Sequence, residues 1–226
     1  MKTHTHKFYV AVIVTMLLVC VLALTGCNDD EPTTKDTQTV TRIAVIVDES
    51  GSFQKYLPTA AAIIQRFIRE NAVAGSAEVY LISADRAPRV IAYYEAEKLL
   101  DKTGAGLLGK ITAINPLDGT DIDGALSLAV EKLTKNNGTK PGKQYLLCFS
   151  DMFADRQTNP KVEFKPLDAF DWKSLQGMSP QFYFVDHKNE LFITDLLQKA
   201  GVSGLVLDEA ESRKVKPSEK VDGGEE

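Results

Sequence analysis

Apolar residues run without a break over Ile43–Val47 and end in Asp48. A strand with both faces covered shows this pattern, whereas a strand with one wet face alternates. From Leu57 to Glu70 the period changes. Ala60, Ile63, Ile64, Phe67 and Ile68 fall on one stripe, which predicts an amphipathic helix. "AEVYLISAD", ending at Asp85, predicts a second strand, and "RVIAYY", Arg89–Tyr94, a third. Only about four residues separate these two. That is too few for a parallel crossover, so they are expected to pair antiparallel.

The same reading continues to the end of the chain. Glu95–Ile111 favours helix but is interrupted by "TGAG", which suggests two short helices. Asp121–Leu133 carries Ile122, Ala125, Leu126, Ala129 and Leu133 at helical spacing, and Asn137-Gly138 marks a turn. "QYLLCFSD" and "QFYFVD" predict buried strands. Asn189–Ala200 predicts a helix with Phe192, Ile193, Leu196, Leu197 and Ala200 inward, stopped by Gly201. "GLVLD" closes the sheet. Strands alternate with helices, so the expected fold is α/β: an open, mostly parallel sheet of about six strands, one antiparallel, with helices on both faces.

The two ends read differently. Lys2 and Lys7 precede an apolar stretch, Phe8–Leu24, and then "LTGC". This has the form of a secretory signal. It also resembles the lipobox of bacterial lipoproteins, which implies cleavage after residue 26 and lipid on Cys27. An uncleaved membrane anchor is the other reading, because the apolar run approaches spanning length. Residues 27–39 are polar and acidic and form a tether that reaches about 40 Å at most. Asp29-Asp30-Glu31 resembles a surface-export signal in some bacterial groups, and is equally a solvated linker. The folded domain is expected over 40–208, with a charged, disordered tail over 209–226.

Composition narrows the function. Loss of residues 1–26 removes Lys2 and Lys7 and no acid, so the formal charge goes from −5 to −7. No basic patch points to nucleic acid. Cys148 remains as a small buried hydrophobe, so no disulfide framework is available. Only His187 of three histidines survives cleavage, which weakens hydrolase readings.

Five predicted strands end in aspartate: Asp48, Asp85, Asp151, Asp186 and Asp208. Ligands of open α/β sheets sit beyond the carboxyl ends of strands. In "DESGS", Asp48, Ser50 and Ser52 alternate, so their oxygens can converge, with Gly51 allowing a bend. Hard divalent cations prefer such donors. Thr120 opens the helix after "DG", and Asp151 ends the next strand. Taken alone, Thr120 reads equally as a helix cap with Asp123 three residues on, and Asp151 as a turn residue. Ser150 is expected to bond backbone rather than serve as a sixth ligand.

Together Asp48-x-Ser50-x-Ser52, Thr120 and Asp151 resemble the metal-ion-dependent adhesion site of von Willebrand factor type A domains. The gaps are 72 and 31 residues. The resemblance implies a Rossmann-like fold. Ser50, Ser52 and Thr120 would bind the metal through hydroxyls, and Asp48 and Asp151 would act largely through bound waters. It implies Mg²⁺, with Mn²⁺ or Ca²⁺ accepted by the same oxygens, and an open position for an Asp or Glu of a partner protein. The chain departs from the pattern at Met152, where the family often has glycine, and in the long segment 153–180 with Trp172. That segment is either an insertion shaping partner choice or a helix with Phe170 and Trp172 in the core. The expected function is a lipid-anchored adhesion module of the bacterial envelope, periplasmic or surface-facing, and not an enzyme. A structural subunit with a stabilising metal is the alternative. A metal-assisted or serine-dependent hydrolase is the third reading, but a Ser50–His187 pair lacks a nucleophile elbow, and Asp48 as a phosphatase nucleophile would want a second aspartate where Ser50 stands.

Overall fold

The computed structural model describes residues 39–72, 76–95, 109–111, 119–135, 140–152, 167 and 170–215. The expected signal, Cys27, the expected tether up to its last residue, the Asn137-Gly138 turn and most of the segments 95–111 and 153–169 lie outside the described residues.

The core is one six-stranded sheet in the order β3-β2-β1-β4-β5-β6. β1 (Thr39–Val47) pairs in parallel with β2 (Ala77–Ser83) and with β4 (Lys140–Phe149). β3 (Arg89–Glu95) runs antiparallel on β2, as its short connection requires. β5 (Ser179–Val185) and β6 (Leu205–Asp208) extend the parallel side. The chain leaves β1 toward one edge and returns through β4 toward the other. The strand order therefore reverses at β1 and β4, where a crevice forms beyond their carboxyl ends.

β1 alternates between two cores. Ile43, Val45 and Val47 face α1 (Leu57–Asn71), against Ala60, Ile63, Ile64 and Ile68. Ala44 and Ile46 face α2 (Ile122–Thr134) and α3 (His187–Ala200), against Ile122, Leu126, Leu133, Ile193 and Leu197. Both faces are dry, which explains the unbroken apolar run. Burying Leu57, Ile63, Ile64 and Ile68 of α1 contributes on the order of 10 kcal/mol as an upper estimate. Packing rather than intrinsic propensity therefore holds this helix.

Arg42, fully buried, orients α2. It donates to Glu78 Oε2 at 3.1 Å and to the last-turn carbonyls of Leu133 at 3.1 Å and Lys135 at 2.6 Å. A cation at a helix carboxyl end satisfies orphan carbonyls and complements the helix dipole. With that end fixed beside the start of β1, the amino end of α2 is held at the opposite edge of the sheet, beside the end of β1.

Several expectations need correction. Phe192 does not face inward: it is 42% exposed, next to Leu191 at 73%, and the inward stripe of α3 is Ile193, Leu197 and Ala200, with Leu196 partly buried against the same core. α3 begins at His187, two residues early, because Asp186 caps it by accepting from Lys188 N at 2.9 Å. Trp172 is in the core, as the packing alternative had it, edge-to-face on Phe170. It sits in a 3₁₀ turn, Trp172–Leu175, and donates to Leu167 O at 2.7 Å.

The tail expected from Glu209 begins instead with a short helix, α4 (Glu209–Ser212). Ser212 is fully buried and its hydroxyl accepts from Phe184 N at 2.8 Å. Phe184, at φ 62°, lies where the β5–β6 register shifts, and this one side chain completes a backbone bond the ladder misses there.

Candidate functional site

The loop after β1 starts as a continuation of the ladder, with Asp48 N donating to Phe149 O at 2.9 Å. This holds the Asp48 carboxylate, 1% exposed, over the ends of β1 and β4. Its Oδ1 accepts from Ser50 N at 2.7 Å and from Thr120 Oγ1 at 3.3 Å. Its Oδ2 accepts from Ser150 Oγ at 2.6 Å. Ser50 Oγ lies 3.0 Å from Ser52 Oγ, and Ser52 Oγ donates to Asp151 Oδ2 at 3.1 Å. One connected network thus contains Asp48, Ser50, Ser52, Thr120 and Asp151, drawn from three loops, with Ser150 as a sixth member.

Each loop is positioned locally. Gly119, at φ 88°, makes a turn that a side chain would strain, and it delivers Thr120. Asp121 N then donates to Asp85 O at 3.2 Å, tying this loop to the end of β2. The capping reading of Thr120 fails. Asp121 is the cap of α2, accepting from Gly124 N at 2.8 Å. Gly124 is needed there, because a Cβ would stand 2.3 Å from Asp121 Oδ2. Thr120, 1% exposed, is left to face Asp48.

Gly51 has no positive φ. Among the described glycines only Gly119, Gly177 and Gly201 do, so the bend is closed instead by Phe53 N donating to Ser50 O at 3.1 Å.

Asp151 is held from behind. Its carbonyl accepts from Asp186 N at 3.1 Å and from Asn189 Nδ2 at 3.3 Å. Met152 occupies φ 61°, the left-handed region that favours glycine. The backbone therefore keeps a glycine-like conformation without glycine. Met152 N donates to Ser150 Oγ at 2.9 Å, and its side chain is buried at 2% exposure, which offsets the strain. The backbone bond expected for Ser150 is this one. Its second bond, to Asp48, had no signal in the sequence beyond adjacency to Asp151.

Burial pushes the Asp48 carboxyl above its ordinary range. Hydrogen bonds from Ser150 and Ser50 oppose this, and the neighbouring Asp151 charge adds to it. A second buried acid, Glu49, lies beside the corner. Burial raises it too, while Arg89 at 3.6 Å opposes. Arg89 also pairs with Asp85. Asp85 thus serves the β2–β3 turn, accepting from Ala87 N at 2.8 Å. Asp186 and Asp208 cap α3 and α4. Of five strand-end aspartates, only Asp48 and Asp151 join the network.

The donor set fits a hard dication. It consists wholly of oxygen. Thr120 and Ser52 direct their hydroxyl protons to carboxylates, which leaves hydroxyl lone pairs for another electrophile. A cation there would also relieve the two carboxylates that lie near one another. By contrast, the Ser50 hydroxyl is paired with Ser52, and His187 Nδ1 lies 3.3 Å from Glu190 Oε2. A cleft of about 620 Å³ opens beside the corner, with Ser52 and Asp151 on one side and Tyr56, Phe184, His187 and Arg213 beyond them.

An open α/β domain with a serine–threonine–aspartate corner at its strand-order reversal defines the class. Residues 43–153 match the sequence model of the von Willebrand factor type A domain. A comparison with curated proteins gives no match. Among solved structures, the chain is similar to the PilB minor pilin of Streptococcus sanguinis (12% identity, TM-score 0.53, covering 79% of this chain and 60% of that one). It is similar to a von Willebrand factor type A protein of Catenulispora acidiphila (13%, 0.53, 78% and 42%). It is also similar to the pilus adhesin SpaC of Lactobacillus rhamnosus GG (10%, 0.54, 80% and 29%). At such identities the likeness is one of fold, and this chain spans 60% or less of each of these proteins.

Proposed function

We propose that this chain is an adhesion module of the bacterial cell envelope, anchored through lipid on Cys27 and not an enzyme. Asp48, Ser50, Ser52, Thr120 and Asp151 hold a divalent cation, Mg²⁺ in the first instance, which binds an Asp or Glu of a partner protein. The observation that carries this reading is the convergence of those five residues into one hydrogen-bonded network, in which the Ser50 backbone N–H joins Asp48 and Thr120 to the Ser50–Ser52–Asp151 side-chain chain. Neutral hydroxyls directly on the cation would leave much of its charge uncancelled. The two carboxylates would orient bound water and balance charge from further out. A partner carboxylate at the remaining position makes a strong, directional contact. The fold neighbours include a minor pilin and a pilus adhesin, in keeping with a binding role at the cell exterior.

The test is affinity capture from envelope extract, wild type against Asp48→Ala, with and without chelator. A partner retained only by wild type in Mg²⁺ supports the reading. Capture indifferent to both Asp48 and chelator would falsify it. Stabilisation by Mg²⁺ without capture would favour a scaffold subunit.

A further inference from the structure

A second group of side chains lies on the same edge of the sheet and takes no part in the serine–aspartate corner. His187 and Glu190 stand on the first turn of α3, and Asp208 ends β6. One ligand atom from each lies within 4.8 Å of the other two. The trio is not a feature of one helix, because Asp208 comes from a different element, 18 residues beyond Glu190. Among the described residues, neither Glu190 nor Asp208 has a Lys or Arg ion-pair partner, although Lys199, Arg89 and Arg213 are paired elsewhere. Two carboxylates and an imidazole are thus gathered with no Lys or Arg paired to them among the described residues, while Lys55 and Arg213 line the same cleft. His187 and Asp208 also line the cleft that Ser52 and Asp151 line.

The donor chemistry differs from that of the corner. An imidazole nitrogen is a borderline ligand that suits Zn²⁺ and contributes little to Mg²⁺ binding. One neutral imidazole and two carboxylates balance a 2+ charge and leave a fourth tetrahedral position for water or a ligand entering from the cleft. Backbone geometry favours this use. Asp208 Oδ1 already accepts from Glu211 N at 2.7 Å, which fixes the carboxylate and leaves Oδ2 available. Glu190 Oε2 sets the imidazole at 3.3 Å.

We propose that His187, Glu190 and Asp208 form a zinc-class transition-metal site on the wall of the cleft beside the serine–aspartate corner. It does not depend on a metal at that corner.

The probe is Zn²⁺ alone, titrated calorimetrically into the full chain in detergent. Visible absorption of Co²⁺ in the same chain reports nitrogen–oxygen ligation. The background carries His4→Ala, His6→Ala, Cys20→Ser and Cys27→Ser, which removes the soft ligands of the leader. His187→Ala leaves the fold alone, since this side chain is 84% exposed, and Asp208→Asn retains an oxygen to cap α4. The expected result is one Zn²⁺ site that each substitution weakens about tenfold or more, while Asp48→Ala leaves it unchanged. Identical Zn²⁺ and Co²⁺ titrations in wild type, His187→Ala and Asp208→Asn overturn the proposal. Loss with Asp48→Ala alone also overturns it, but leaves the corner reading standing.

Discussion

Replacing Asp48 by Asn changes one atom and separates metal binding from architecture. The Asn carbonyl oxygen can still accept from Ser50 N and Thr120 Oγ1, which Asp48 Oδ1 now does at 2.7 and 3.3 Å. On the other side Asn presents NH₂ to Ser150 Oγ, which now donates to Asp48 Oδ2 at 2.6 Å. The Ser150 hydroxyl must then accept, and its own proton loses a charged acceptor. That costs about 1.5–3 kcal/mol. Removing a buried carboxylate whose ionised form is disfavoured by burial offsets part of this. In chelator the variant should therefore unfold within about 2 kcal/mol of wild type. Mg²⁺ makes the difference. At a hundred times its Kd, a bound ion stabilises the native state by about 2.7 kcal/mol. For a domain of this size that raises Tm by roughly 5–10 °C. Differential scanning fluorimetry over a Mg²⁺ series, with chelator as baseline, reads both terms. Wild type should rise with log[Mg²⁺] and Asp48→Asn should stay flat. Equal rises would show that the ion binds elsewhere, and the role given to Asp48 would be wrong.

Other substitutions test how the corner is held. Arg42→Met removes the buried cation from Glu78, Leu133 O and Lys135 O, although Tyr80 Oη still donates to Glu78 and Gln144 Nε2 to Leu133 O, and should cost about 3 kcal/mol in urea unfolding; a loss under about 1 kcal/mol would refute its role in seating α2. Ser150→Ala removes bonds to Asp48 and to Met152 N, and should cost about 2–3 kcal/mol while weakening Mg²⁺ binding; unchanged Mg²⁺ affinity would make Ser150 purely structural. Met152→Gly should be more stable than Met152→Ala by about 1 kcal/mol, because both lose the buried side chain but only Gly relieves the left-handed backbone. The reverse order by denaturant titration would contradict the strain argument.

Much of the fold could be read from the chain because burial and periodicity coincide. Ile43–Val47 is continuous because α1 and α2 cover alternate residues of one strand. Asp48, Ser50, Ser52, Thr120 and Asp151 were visible as oxygen donors at strand and helix ends, and the structure brings them into one network. What escaped depends on single long-range contacts. Ser212 makes α4 ordered in a charged stretch because it completes one backbone bond of β5. Asp121 rather than Thr120 caps α2, and adjacent capping residues look alike until φ and ψ separate them. Asp85, Asp186 and Asp208 match Asp48 in position on their strands, yet a neighbouring arginine and two helix starts engage them. Phe192 follows the apolar stripe in spacing but falls at its edge and stays 42% exposed.

Diffraction at the manganese edge from crystals grown with Mn²⁺ tests the central claim most directly. The account predicts an anomalous peak at coordination distance, about 2.2 Å, from the hydroxyls of Ser50, Ser52 and Thr120, and its absence in Thr120→Ala. A well-ordered domain with no peak among those three hydroxyls would contradict it.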